Sequence, residues 1–254
     1  MDALILAGSI NNGKLRVCSD VENEALIPIG KKTMIEYVVD AIIQSPYIKK
    51  IVVVGPPEKM KPLFPNAKNL QFVPGGDTVI KGVINGLKEI NSNDKLLIVT
   101  SDIPLITGAV IDSFIQECLK HEEKELFYPI VPREVNDRKF PGVKRTYVKL
   151  KDGIYTGGNI FLVDPLIIPK CAAKAEEIVA LRKSPFALAK LLGFSFIVKF
   201  VLKVLSISEA EKQVSRLLGV NGKAIISHEP EIGVDVDKPS DLEVVTSALL
   251  KEKR

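Results

Sequence analysis

Three short apolar runs in the first 100 residues constrain the fold of this chain more than any other feature. They cover residues 3–7, 51–54 and 96–99, and none of them contains a charged or polar side chain. Continuous apolar runs of this length are typical of strands that are covered on both faces, as in a parallel sheet. The runs therefore predict a buried sheet at the centre of the protein.

Helix signals follow each of these runs. Thr33 and Glu36 form a capping-box pattern that opens an amphipathic helix to about residue 44. Asp77 is placed to cap a helix to about residue 90, and Thr107 is placed to cap one to about residue 120. Strands that alternate with helices predict the α/β class, with a mainly parallel sheet between two layers of helices.

Beyond residue 125 the alternation is less regular. A helix is predicted from Ser184 to Gly193, and Ser208 with Glu211 forms a second capping-box pattern before a helix that ends near Gly219. Further strands are expected at 126–131, 146–150, 159–163 and 224–227, and a last helix from residue 240. No repeat or linker interrupts the chain, which predicts a single domain over residues 1–254.

Charge and cysteine content exclude several classes of protein. The net charge is only +4 and the basic residues are spread along the chain, which favours a solvated surface over a nucleic-acid interface. Cys18, Cys118 and Cys171 are isolated, so neither a disulfide framework nor a zinc site is indicated. Together with an N-terminus that lacks a signal-peptide pattern, this predicts a cytoplasmic protein with no stable membrane span.

Two acidic signatures predict a metal site. Asp102 follows the third apolar run directly, and Asp237 lies in the sequence Gly233-Val234-Asp235-Val236-Asp237 near the C-terminus. The carboxyl end of a parallel strand lies at the sheet edge where open α/β folds bind ligands. Carboxylates are typical ligands of Mg²⁺, which also takes substrate phosphates. We therefore expect Asp102 and Asp237 to hold Mg²⁺.

A loop of small residues follows the first apolar run. Gly8, Ser9 and Gly13 lie in it, and Lys14 comes directly after it. Such a loop lets backbone N–H groups approach phosphate oxygens, and a following Lys adds positive charge. A plain turn is the alternative, because the loop has neither the dinucleotide-binding nor the P-loop spacing.

Five segments in this order resemble nucleotidyltransferases of the GT-A-like type. They are LILAGSINNGKLR, EALIPIGKKTMIEYVVDAI, GGDTVIKGVINGL, TSDIPL and DVDKPSDL. The chain is similar to the branch that contains molybdenum-cofactor guanylyltransferases and methylerythritol-phosphate cytidylyltransferases. The resemblance covers residues 1 to about 165 and 222 to 250, which leaves a helical insertion at about 165–222. It implies a three-layer α/β/α, Rossmann-like nucleotide-diphospho-sugar transferase fold with a mixed, mainly parallel sheet.

The resemblance also implies roles for particular residues. Asp102 and Asp237 would hold Mg²⁺, and Lys14 would offset phosphate charge. Residues of the first strand end, the two glycine loops and the third strand end would bind the nucleotide, namely Leu6, Ala7, Gly8, Ser9, Gly13, Gly75, Gly76 and Ser101. The acceptor side of the cleft would contain Lys144, Gly158 and Asn159. Plain turns are the alternative at Gly75–Gly76 and at Gly158–Asn159.

This chain departs from the family pattern at two positions. Ser9 stands where the family has a second Gly, and Glu24 stands where it commonly has a Lys. The basic residue of the loop must then be Lys14, or Arg16 after a longer loop.

The expected activity is Mg²⁺-dependent transfer of a nucleoside monophosphate group from GTP or CTP to a small phosphorylated acceptor, with release of pyrophosphate. Two alternatives remain at this point. One is a GT-A glycosyltransferase that uses a nucleotide sugar, and the other is a weakly catalytic nucleotide-binding regulatory protein. Nucleic acid is not an expected partner, and a homodimer is left open.

Residues 182–206 lie outside the resemblance and are unusually apolar. A helix over 195–206 would be apolar around most of its circumference, so we expect it to be buried. Packing on the protein's own sheet, self-association, a wall for a lipid-like acceptor and a basic helix on a membrane are the alternatives. We expect the two helices of this segment to close one side of the acceptor cleft.

Overall fold

The computed structural model describes residues 1–181 and 184–251, and Arg182, the first residue of the predicted apolar segment, lies outside them. A nine-stranded mixed sheet has the order β5-β4-β1-β6-β10-β7-β9-β8, with β11 paired to β7. Its strands are β1 (Asp2–Leu6), β4 (Lys50–Val54), β5 (Leu70–Val73), β6 (Leu96–Thr100), β7 (Leu126–Pro132), β8 (Val148–Leu150), β9 (Gly153–Gly157), β10 (Ile160–Val163) and β11 (Gly222–Ile226). A separate hairpin pairs β2 (Pro28–Ile29) with β3 (Lys32–Thr33).

The three apolar runs form the parallel half of the sheet, as expected. β1 pairs in parallel with β4 on one side and β6 on the other, which places Leu4 between Val52 and Ile98. β10 then pairs antiparallel with both β6 and β7. The sheet is therefore mixed and mainly parallel.

Two layers of helices cover this sheet. Alternate strand residues point to opposite faces, so Ala3 and Ile5 join a core cluster with α1 and α4, whereas Leu4 joins a second cluster that includes residues of α3 and α6. The helices are α1 (Met34–Gln44), α2 (Pro57–Met60), α3 (Val79–Leu87), α4 (Gly108–Leu119), α5 (Arg133–Lys139), α6 (Ile168–Leu181), α7 (Pro185–Leu191), α8 (Phe194–Val201), α9 (Ile207–Leu218) and α10 (Pro239–Lys251). The predicted three-layer α/β/α fold is confirmed.

A third apolar cluster lies apart from these two and supports the C-terminal acidic signature. Val234 and Val236 are buried in it, together with Leu105 and with Val245 of α10. Because these two valines are fixed in the cluster, the positions of Asp235 and Asp237 beside them are fixed as well.

Four helices, α6 to α9, lie between β10 and β11. α6 packs against α3, and α9 packs against β11. Helix α8 ends at Val201, earlier than expected, and Lys203 after it has a left-handed backbone with φ 59°. Among the described residues, the three core clusters include no side chain of α7 or α8. Helix α8, which has no buried residue, is therefore not buried on the protein's own sheet as expected, although Leu192 and Leu205 on either side of it are buried.

Two helix starts also differ from the prediction. Thr78, not Asp77, caps α3, because the Thr78 hydroxyl accepts the Lys81 N–H while the Asp77 carboxylate pairs with the Lys81 ammonium. The capping box of α9 is Ser206 with Glu209, two residues before the predicted pair. Helices α2, α5 and α6 and strands β2, β3, β5 and β9 were not predicted.

Candidate active site

Asp102 lies at the carboxyl edge of the sheet, because it follows the end of the third apolar run. Strand β6 ends at Thr100, whose hydroxyl donates a hydrogen bond to the Asp102 carboxylate. Burial raises the pKa of Asp102 above its ordinary value, and the nearby Asp237 carboxylate adds to this, while the Thr100 hydrogen bond opposes it. A neighbouring cation would stabilise the ionised form of a carboxylate in this environment.

The C-terminal acidic signature is tied to the same place by the backbone. The Val236 N–H donates to the Asp102 carbonyl oxygen at 2.9 Å. One carboxylate oxygen from each of Asp102, Asp235 and Asp237 lies within 4.8 Å of the other two. Oxygen atoms in this number and spacing suit a hard divalent cation. The structure therefore brings the two predicted ligands together and adds Asp235 to them.

Arg145 is the cation that faces this cluster. It forms an ion pair with Asp235, and both side chains are largely buried. Burial lowers the pKa of Arg145, and the Asp237 and Asp102 carboxylates oppose that shift. Its Nε atom is buried and has no hydrogen-bond partner among the described residues. From the sequence, Arg145 belongs to a basic group at residues 133–145 that could meet a phosphorylated acceptor or form a solvated face, and no sequence signal identified Asp235.

The two glycine loops lie against each other. A Cβ atom added at Gly8 would be 3.8 Å from the Gly75 Cα, so these loops touch through backbone atoms. Within the described residues, the N–H groups of Gly8, Ser9, Gly75 and Gly76 have no hydrogen-bond acceptor. Unpaired backbone N–H groups at the start of helix α3 and in the first loop are suited to bind an anion.

Other candidate nucleotide-binding residues have their backbone groups engaged within the fold. The Ser101 N–H donates to the Leu6 carbonyl oxygen at 3.1 Å. The Ala7 N–H donates to the Val54 carbonyl oxygen, and its own carbonyl accepts the Asn23 side chain. Leu6, Ala7 and Ser101 therefore hold the first loop in place through these bonds.

Ser9 and Glu24, the two residues that depart from the family pattern, contact each other in the structure. The Ser9 hydroxyl donates to the Glu24 carboxylate at 2.6 Å, and the Glu24 N–H donates to the Ser9 carbonyl oxygen at 3.0 Å. Gly13 ends the loop, and Lys14 after it is exposed at the start of a short 3-10 helix. No ion pair among the described residues involves Lys14.

Two of the three predicted acceptor residues, Gly158 and Asn159, lie between the two acidic segments. The Thr100 N–H donates to the Asn159 carbonyl oxygen at 3.1 Å, and the Asn159 N–H donates to the Ile232 carbonyl oxygen at 2.8 Å. The Asn159 Nδ2 atom is buried, and in the described part of the chain it finds no acceptor. Gly158 is buried beside Ile232, whereas Lys144 is exposed.

Among the described residues, three of the five basic residues between β7 and β8 form ion pairs; the five are Arg133, Arg138, Lys139, Lys144 and Arg145. Arg133 pairs with Asp137 along helix α5 at 3.0 Å, and Lys139 pairs with Glu231. Because these charges are already neutralised, they are poor candidates for binding an acceptor phosphate.

The glycine loops and the carboxylate cluster lie at one edge of the sheet, the edge at which open α/β folds bind ligands. Residues 3–187 match the family model of the MobA-like NTP transferase domain. The chain belongs to this family, and it is a nucleotidyltransferase.

Solved structures agree with this assignment. A hypothetical transferase from Thermus thermophilus is 34% identical, with a TM-score of 0.81 over 95% of this chain and 98% of that one. A CMP:2-keto-3-deoxy-manno-octonic acid synthetase complexed with CTP has a TM-score of 0.62 at 12% identity, over 99% and 100% of the two chains.

A 2-C-methyl-D-erythritol 4-phosphate cytidylyltransferase, also from Thermus thermophilus, has a TM-score of 0.57 at 15% identity, over 98% of both chains. At these low identities the last two share the fold with this chain. No protein of curated function matches its sequence.

Proposed function

We propose that this protein transfers a nucleoside monophosphate group from GTP or CTP to a small phosphorylated acceptor, with Mg²⁺ as cofactor and pyrophosphate as product. The cluster of Asp102, Asp235 and Asp237 carries this proposal, because one oxygen from each of three carboxylates lies within 4.8 Å of the other two, a spacing at which one divalent cation can bind all three. The two solved neighbours at lower identity are named for cytidylyl chemistry, which supports CTP as one of the two candidates.

The chain supplies positioning and charge to this reaction. Asp102, Asp235 and Asp237 would hold Mg²⁺. When bound, Mg²⁺ offsets the negative charge of the phosphate oxygens. The free N–H groups of Gly8 and Ser9 would donate to the triphosphate, and exposed Lys14 would add charge from the same loop.

The base and the acceptor would bind on opposite sides of the cluster. The N–H groups of Gly75 and Gly76 are available to a nucleotide base, since neither has an acceptor among the described residues. The unpaired Asn159 Nδ2 atom and the exposed Lys144 ammonium are donors suited to an acceptor phosphate. An acceptor phosphate is already an anion, so no general base is required.

We also propose that residues 1–254 work as one domain, with the helices at about 165–222 as an insertion. The isolated cysteines, all of which have free thiols, support a reducing, cytoplasmic location.

Thermal unfolding with the four nucleoside triphosphates, each with and without Mg²⁺, tests this function. A triphosphate present at about a hundred times its Kd should stabilise the fold by about 2.7 kcal/mol. We expect GTP or CTP to do so in the presence of Mg²⁺, and Asp102→Asn to abolish the Mg²⁺-dependent part. No shift with any triphosphate would contradict the proposal.

Pyrophosphate release then separates nucleotidyl transfer from the alternatives. The triphosphate that binds should yield pyrophosphate when it is incubated with a panel of phosphorylated sugars and polyols. Consumption of a nucleotide sugar without pyrophosphate release would indicate a glycosyltransferase. Tight binding without turnover across the panel would indicate a regulatory protein.

A further inference from the structure

Helix α8 presents an apolar face to solvent. Phe194, Val198 and Val201 are spaced four and three residues apart, so they lie on one side of the helix, and Leu202 follows on the same side. All four side chains are exposed, and Phe194 is 82% accessible. These four residues are called the α8 patch below.

The other side of α8 carries the contacts of the helix with the protein. Phe196, Ile197 and Phe200 are partly buried there, and α8 packs mainly against α7. The apolar residues of this helix therefore divide into an inner side, which meets the protein, and an outer side, which meets water. Contiguous exposed apolar side chains of this kind mark interaction surfaces.

The segment that bears the α8 patch is fixed at both ends. Buried Leu192 accepts a hydrogen bond from the Gln213 side chain at 2.7 Å, and buried Leu205 accepts one from the Lys151 N–H at 2.8 Å. An ion pair between Lys199 and Glu209 joins α8 to α9. The exposure of the α8 patch is thus built into the fold.

Two exposed lysines, one on either side, flank the α8 patch in the sequence. No acidic residue lies between Glu177 and Glu209, and of the five basic residues in this stretch Lys199 is paired with Glu209, while Arg182 and Lys183 lie outside the described residues. Lys190 and Lys203 are exposed, and no ion pair in the described part of the chain involves either. Two copies of this surface would repel each other, so the charge pattern favours an anionic partner.

We propose that the α8 patch docks on the surface of an anionic lipid bilayer. An apolar helix face flanked by lysines lies in the plane of the membrane interface, where its side chains enter the acyl boundary and its lysines meet anionic headgroups. Within residues 1–181 and 184–251, no helix is long and apolar enough to cross a bilayer. Docking of this kind is peripheral and does not depend on the proposed activity.

A fluorescent reporter tests insertion directly, because the chain contains no Trp. Phe194→Trp places a single indole in the α8 patch. Val17→Trp places one at a matched site, since Val17 is 83% exposed at the end of the short 3-10 helix near the N-terminus. Emission from Phe194→Trp should shift to the blue with equimolar phosphatidylglycerol and phosphatidylcholine vesicles, and should not shift with phosphatidylcholine alone. Val17→Trp should not respond to either vesicle.

Co-sedimentation with the same vesicles tests both parts of the surface in the full-length protein. Leu202→Asp should remove binding, whereas Leu166→Asp should retain it, because both leucines are 64% exposed and only Leu202 lies in the patch. Lys190→Glu and Lys203→Glu should each weaken binding by at least about fivefold, the effect of losing about 1 kcal/mol per lysine. Unchanged thermal unfolding would verify that these variants fold.

Three outcomes would overturn the proposal. The first is wild-type protein that stays in the supernatant with anionic vesicles at low salt. The second is equal binding to neutral and anionic vesicles, since the lysines would then have no role. The third is a dimer, seen by light scattering, that Leu202→Asp dissociates in a protein that binds no vesicle.

Discussion

Two strongly apolar stretches of this protein differ in burial. Residues 96–99, in β6, are almost completely buried, whereas α8 keeps one apolar side in water. The strand is covered because its side chains alternate between two faces that each carry helices. Helix α8 has a neighbour on one side only. Apolar composition alone therefore does not determine burial, and the exposed stretch becomes available for a partner.

The two regions also differ in how they are held. Two backbone hydrogen bonds fix the end of β6 beside the carboxylates: the Val236 N–H donates to the Asp102 carbonyl oxygen, and the Asn159 carbonyl oxygen accepts the Thr100 N–H. The α8 segment is anchored at Leu192 and Leu205, with exposed side chains between. We expect substitutions in the first region to change chemistry, and those at the α8 patch to leave both chemistry and folding intact.

The largest effect is expected from Asp102→Asn. This change should lower the rate of nucleotidyl transfer by about a hundredfold to a thousandfold, the range for removal of a charge-stabilising group from an active site. Initial rates of pyrophosphate release measure it. Because burial raises the pKa of Asp102, ionisation of this side chain costs folding stability, and the neutral amide should not lower the unfolding midpoint.

Asp94→Asn provides the control for this variant, because Asp94 is an exposed carboxylate outside the cluster. It should retain wild-type rates. Asp102→Asn with an unchanged rate would remove the basis of the active-site assignment.

The next largest effect is a loss of folding stability, and it should distinguish two leucines at the end of the α8 segment. Leu205 is 2% exposed, so Leu205→Ala should lower the free energy of unfolding by about 2–5 kcal/mol. Leu202→Ala should change it by less than about 0.5 kcal/mol, because that side chain is exposed. Urea denaturation measures both. Equal losses of unfolding free energy in the two variants would mean that Leu202 is buried in solution. The contrast between buried β6 and the exposed side of α8 would then be wrong.

A smaller effect is expected at the glycine loops. A Cβ atom at Gly75 would meet nothing closer than 3.8 Å, so Gly75→Ala should fold normally. It should weaken nucleotide binding by about tenfold, because the added methyl group would hinder the close approach of a nucleotide to the backbone N–H, an effect of about the size of one hydrogen bond. A Cβ atom at Gly76 would lie 2.6 Å from the Lys81 Cβ atom, so Gly76→Ala should lose about 1–3 kcal/mol of stability. Calorimetric titration of nucleotide into both variants, beside their unfolding midpoints, separates the two effects.

The smallest effect is the pH dependence at the junction of α8 and α9. The Lys199 hydrogen bond, aided by the Ser206 N–H, lowers the pKa of Glu209 from 4.5 to about 2. Stability from this carboxylate is present above pH 4.5 and is lost as the pH falls toward 2. Wild type should therefore exceed Glu209→Gln in unfolding midpoint at about pH 6, and this difference should shrink at about pH 3. A constant difference would contradict the assigned ion pair.

Local patterns in the sequence were sufficient to predict most elements of the fold. The capping box at Thr33 and Glu36 and the apolar run before Asp102 each identify their element without tertiary information. The second capping box was ambiguous, since Ser206 with Glu209 and Ser208 with Glu211 have the same spacing. Tertiary contacts decide between them, because Glu209 binds Lys199 while Glu211 accepts the N–H of Ala224 in β11.

The candidate site was predictable where the signal was local and was missed where it was not. Asp102 and Asp237 stand out in short motifs. Arg145 reaches Asp235 across 90 positions of the sequence, and no local pattern identifies that pair. The alternation of buried valines with aspartates in Val234-Asp235-Val236-Asp237 is the one signal that could have identified Asp235, because alternate residues of an extended segment share a side.

Binding of Mn²⁺ in place of Mg²⁺, followed by electron paramagnetic resonance in the presence of the stabilising triphosphate, tests the central claim most directly. The account predicts that wild-type protein binds Mn²⁺ at the carboxylate cluster, that Asp102→Asn and Asp235→Asn each weaken this binding, and that Asp94→Asn does not. Equal Mn²⁺ affinity in wild type and in Asp102→Asn would show that the three aspartates do not hold the metal.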